Sequence, residues 1–79
     1  MFVEIVLVGL PIDRDEVEEA VEAAFESDGE ITGAGGGTGR CHLDLDIAEG
    51  VDPTAALARL RGVLCELGVA ERAILNVGQ

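Results

Sequence analysis

The sequence predicts an α+β domain with element order β-α-β-β-α-β, in which four antiparallel strands form one sheet and two helices cover one of its faces. Three observations carry this. Two runs have strand character, an apolar one at residues 2–8 and an alternating one at 40–47. Two other segments repeat apolar residues at helical spacing between recognisable end signals, Asp13 with Glu16 for the first and Asp52-Pro53 with Gly68 for the second. A glycine-rich stretch, 33–40, separates the two middle strands by too few residues for anything but an antiparallel hairpin. The 79 residues make a single domain, 1–79.

Taken in order, Phe2, Val3, Ile5, Val6, Leu7 and Val8 make a short Val-rich strand stopped by Gly9-Leu10-Pro11, and its apolar character fits a central position. Asp13 reads as the N-cap of the first helix, with Glu16 completing a capping box and Ile12 and Val17 forming a hydrophobic staple. Val17, Ala20, Val21, Ala24 and Phe25 then mark the inner stripe, while Glu18, Glu19, Glu22 and Glu26 mark the wet face. Gly29 is the expected terminator. A weak strand follows at 31–34, where small residues give little to pack. From Arg40 the alternation is clean: Cys41, Leu43, Leu45 and Ile47 take one face, Arg40, His42, Asp44 and Asp46 the other. The second helix starts at Asp52 with Pro53 at N1, buries Leu57, Leu60, Leu64 and Leu67, and ends at Gly68, with Val69 folding back on Leu64. Gly62 inside it costs about 1 kcal/mol relative to alanine. Residues 70–77 form the last strand.

With right-handed crossovers this order resembles the ferredoxin-like superfold, whose sheet has the spatial order 4-1-3-2. The resemblance covers the whole chain and implies an architecture, not an activity. Copper-chaperone-like members carry C-x-x-C in the first βα loop, which here is Gly9-Leu10-Pro11-Ile12. RNA-recognition motifs stack bases on sheet aromatics, and acylphosphatase-like enzymes hold phosphate with an arginine in the first βα loop, whereas Arg14 lies inside the helix start. Bacterial ferredoxins cluster their cysteines. ACT domains, which bind amino acids, place a glycine near the end of the first strand, as Gly9 is placed here.

Charge excludes further classes. Sixteen acidic residues face five arginines and no lysine, a formal net charge of −11. Nucleic acid and anionic membranes are therefore not expected partners. Basic proteins and metal cations are compatible with the acidity, and so is plain solubility or a biased composition. The apolar stretch 1–10 has no basic leader, is interrupted by Glu4 and is half the length of a membrane span, which points to a cytoplasmic protein. Cys41 and Cys65 do not make a disulfide framework; antiparallel geometry brings both thiols to one end on the helix-covered side, as reduced core cysteines or as a redox pair.

The candidate site centres on Gly35, Gly36 and Gly37 and on the ladder Arg40, His42, Asp44 and Asp46. The glycines lack the helix and lysine of a phosphate loop, so they are expected to form a flexible hairpin tip, with a phosphate nest or a bare recognition edge as the alternatives. The ladder residues stand about 6.6 Å apart on one face, with Glu4 on the neighbouring strand. A solvated polar face, a protein interface shared with Val6, Val8 and Ile74, and metal binding or catalysis around His42 all fit these residues. With one histidine and no tyrosine, tryptophan or lysine, the chain has few means of assembling an enzyme's convergent groups, so no catalytic residue, metal or cofactor is expected. The favoured function is a small acidic, non-enzymatic interaction or regulatory module, a homodimer or a protein of inhibitor or immunity type. The alternative is an ACT-like small-ligand or metal-binding domain on the open sheet face around His42.

Overall fold

The computed structural model describes residues 1–78. It contains strand β1 (Phe2–Val8), helix α1 (Arg14–Phe25), strands β2 (Gly29–Gly37) and β3 (Arg40–Ile47), helix α2 (Pro53–Glu66) and strand β4 (Ala73–Gly78). The sheet has the order β2-β3-β1-β4, and every adjacent pair is antiparallel. This is the predicted βαββαβ ferredoxin-like architecture. Its two central strands, β1 and β3, are the two with the strongest apolar content on one side.

Period-two alternation on the strands and helical spacing on the helices meet in one core. Val3, Ile5 and Leu7 of β1 and Leu43, Leu45 and Ile47 of β3 pack against Val17, Val21 and Phe25 of α1 and Ala56, Leu60 and Leu64 of α2. Each of these larger side chains contributes about 1.5–3 kcal/mol on full burial. Phe25 is the largest, and the Arg59 guanidinium lies over its ring at 5.1 Å while bonding Asp28 at 3.1 Å. That contact fastens α2 to the turn after α1. Within the α2 stripe, Leu60 and Leu64 are buried as expected; Ala56 takes the third buried position, and Leu57 and Leu67 are only half-buried. Gly62 faces open space, so no close approach calls for it.

The two helix starts carry similar signals and behave differently. At α2, the Asp52 carboxylate accepts the Ala55 N–H at 2.9 Å and Pro53 occupies N1. At α1, Asp13 is the N-cap residue, but its side chain caps nothing. The Glu16 N–H donates instead to the Asp13 carbonyl at 3.1 Å, so the expected capping box does not form. Ile12 and Val17 do both pack into the core. The C-terminus of α2 follows the sequence closely: Gly68 has φ 76°, its N–H bonds the Cys65 carbonyl, and the N–H of buried Val69 bonds the Leu64 carbonyl. That is a Schellman motif with its apolar contact.

Three expectations about where elements begin and end are corrected. Gly29 does not end α1; Glu26, at φ 51°, does, and a 3₁₀ turn (Glu26–Asp28) leads into β2. Gly29 is extended, and its missing side chain admits Phe25 and Leu45, whose atoms lie 3.2–3.3 Å from where a Cβ would sit. The glycine run is not a loop. It is the second half of β2, paired with β3 from Gly33 opposite Asp44 to Gly37 opposite Arg40, and the turn itself is only Thr38-Gly39. Gly39 has φ 74°, the one place in that turn that needs a glycine. Finally, residues 70–72 form a 3₁₀ turn, so the last strand begins at Ala73. Among the described residues no helix is long and apolar enough to cross a membrane. Of the cysteines, Cys41 is half-buried against the core, whereas Cys65 is exposed rather than a core residue.

Candidate functional site

Both helices lie on one side of the sheet, so the other side is uncovered, and the strand register says which residues share it. Across β2, β3, β1 and β4 the rungs of this open face are Gly37, Arg40 and Val8; then Gly35, His42, Val6 and Ile74; then Gly33, Asp44, Glu4 and Asn76; then Glu30, Asp46, Phe2 and Gly78. Side chains directly opposite one another across antiparallel strands point the same way. Of the sequence-predicted site residues, Gly35, Gly37, Arg40, His42, Asp44 and Asp46 therefore come together on one surface. Gly36 does not: it alternates to the helix-covered side, where its Cβ would stand 3.3 Å from that of Cys41.

The glycines shape the surface next to them. A Cβ on Gly35 would lie 2.7 Å from Cε1 of the His42 ring, and one on Gly33 would lie 2.8 Å from Oδ2 of Asp44. Both β3 side chains thus lie across the β2 backbone into space that any larger residue would fill. They lean together, with Nε2 of His42 3.9 Å from Oδ2 of Asp44, beyond hydrogen-bond reach, and their side chains are 41% and 27% exposed. On the other half of the face, the Asn76 amide donates to the Glu4 carboxylate at 3.0 Å. An open depression lies between these groups, lined by Glu4, Val6, Arg40, His42 and Asn76 and, at the hairpin, by Gly36, Gly37 and Cys41, so Gly36 borders it although it alternates to the other side of the strand.

The face is divided by chemistry. Toward β2 and β3 it is charged, with Glu30, Asp44 and Asp46 at one end and Arg40 at the other. Toward β1 and β4 the exposed apolar side chains Val8 (45% exposed) and Ile74 (51%) stand at one end and Phe2 (36%) at the other, with the hydrogen-bonded Glu4–Asn76 rung between them. Val6 is 8% exposed although no helix covers it, flanked by His42 on β3 and Ile74 on β4. Among the described residues no three His, Cys, Asp or Glu side chains converge closely enough to hold a metal ion. Successive same-face residues of one strand project in parallel, which keeps His42, Asp44 and Asp46 from closing on a common point.

Phe2, Asn76 and Glu30 complete this face and were not singled out from the sequence. Alternation along each strand could have placed Phe2 beside Glu4, and Asn76 beyond Ile74. The positions of Gly33 and Gly35 beneath Asp44 and His42 had no sequence signal, since they depend on cross-strand register. No protein-family model matches the chain, and no curated protein matches it in sequence.

Proposed function

We propose that this domain is a small acidic protein-interaction module, without catalysis of its own, that docks a partner on its open sheet face. The observation that carries the reading is the exposure of Phe2, Val8 and Ile74 together on a face that nothing in the fold covers. Exposed apolar side chains set among charged and polar groups have the layout of a protein contact surface, with the apolar groups supplying affinity and the charged ones orientation. The ladder Arg40, His42, Asp44 and Asp46 provides charged and polar groups of this kind.

The test is a paired substitution, Val8→Asp with Ile74→Asp. Wild-type protein should retain a specific protein from native lysate or self-associate in light scattering, and the variant should lose that behaviour while keeping its thermal transition. A folded variant indistinguishable from wild type in both assays would sink the reading. The depression between Glu4, Arg40, His42 and Asn76 supports a second reading, small-ligand binding of the ACT-like kind. Resonance shifts confined to His42 and Arg40 on titration with amino acids would favour it.

A further inference from the structure

We propose that the outer edge of β2 accepts an extended, lysine- or arginine-bearing segment of a partner protein as a fifth strand; this rests on the docking reading above and names the chemistry of the partner.

The hydrogen-bond phase of the sheet shows which groups are on offer. The Gly9 N–H bonds the Gly39 carbonyl at 2.9 Å, and Met1 and Ile47 exchange bonds of 3.0 and 2.7 Å. Odd-numbered positions at both ends of β3 thus bond toward β1. In an antiparallel ladder successive residues alternate, so the even positions Arg40, His42, Asp44 and Asp46 bond toward β2. Their partners Gly37, Gly35, Gly33 and Glu30 spend their N–H and C=O groups inward. The bond from the Ala48 N–H to the Asp28 carbonyl at 2.8 Å keeps the same phase. Ala34 and Gly36, with Gly29 and Ile31 beyond the bulge, therefore point their backbone groups out of the sheet.

Edge strands are usually guarded by lysine, proline or charged side chains. Residues 33–37 carry none, and the one irregularity of β2 is the bulge between Ile31 and Gly33. The other edge, β4, is six residues long against nine for β2, so β2 offers the longer ladder. Strand addition draws affinity from main-chain bonds and specificity from alternate side chains. Here the specificity comes from β3. Because Gly33 and Gly35 are empty, Asp44 and His42 lie across them toward the edge, and Glu30 and Asp46 stand one rung further along. An added strand would set alternate side chains beside these carboxylates, where cations are favoured and anions repelled. A second copy of this chain, at −11, would bring carboxylates against carboxylates.

The experiment follows amide hydrogen exchange across the full-length protein with an eight-residue peptide alternating lysine and valine. A peptide of equal charge with proline in place of valine serves as the control. The expected result is slowed exchange at Ala34 and Gly36 with the lysine–valine peptide only. Asp44→Asn and Asp46→Asn should each weaken binding about two- to five-fold. Ala34→Pro places proline where the N–H faces outward and leaves the β2–β3 ladder intact; it should weaken binding roughly tenfold or more, with the remaining amides native. Equal binding of both peptides, protection confined to β4, or no protection at Ala34 and Gly36 overturns the inference. If such a result accompanies a partner contact that depends on Val8 and Ile74, the docking reading stands and only the strand-addition site falls.

Discussion

The helix-covered and open faces of the sheet are interleaved along the same strands, residue by residue, and yet they obey different rules. On the covered face Val3, Ile5, Leu7, Leu43, Leu45 and Ile47 are sealed by α1 and α2. Shape is tightly constrained there; a Cβ on Gly29 would stand 3.2–3.3 Å from atoms of Phe25 and Leu45. On the open face the side chains settle among themselves: Val6 lies between His42 and Ile74, Asn76 bonds Glu4, and His42 and Asp44 recline over glycines. One face is sealed by the helix layer and the other is uncovered by any element of the fold. The difference shows that alternation alone does not make a core, since a second layer has to arrive to cover it.

Substitutions on each face test that contrast. Phe25→Ala removes the largest buried side chain of the covered face and should cost about 3–5 kcal/mol, read from urea denaturation, enough to threaten folding in a domain this small. A loss under about 1 kcal/mol would mean that the helix layer is loosely packed. Val6→Ala probes the open face at its most enclosed point and should cost roughly 1–2 kcal/mol. If it cost as much as Phe25→Ala, the two faces would be equivalent in stability, and the open one would have to be covered by a partner in solution. Gly35→Ala has the smallest expected effect, within about 0.5 kcal/mol, because the colliding atom is the end of a rotatable imidazole. Its readout is the His42 ring, which should swing off the strand with a clear shift of its carbon-bound protons; an unmoved ring would remove the glycine floor from the description of the site.

Much of the fold was legible because its signals are local. Asp52-Pro53 and Gly68-Val69 mark α2 through bonds spanning only a few residues, and these form as expected. Alternation on β3 separated Cys41, Leu43, Leu45 and Ile47 from Arg40, His42, Asp44 and Asp46 without reference to any other strand. The misreadings arose where a local signal met a competing geometry. Asp13 and Glu16 have the spacing of a capping box, but the α1 start closes through a backbone bond alone. The run 33–37 reads as a loop by composition, because glycine has weak strand propensity. Pairing with a strong central strand, β3, overrides that preference.

The amino-acid sequence alone sets the element order, the apolar stripes, the caps of α2 and the formal net charge of −11. These depend on spacing along the chain and on composition, which need no third dimension. That the glycines form an edge strand, that Gly36 turns away from the ladder, and that Asp44 and His42 lie in the space above Gly33 and Gly35 emerges only once the strands have paired. Each of these follows from the pairing register of β2 on β3, which no single strand carries by itself. A one-residue slip would send every side chain to the opposite face. The packed core, not the local chain, selects the register that buries Leu43, Leu45 and Ile47 and leaves the polar ladder in the open.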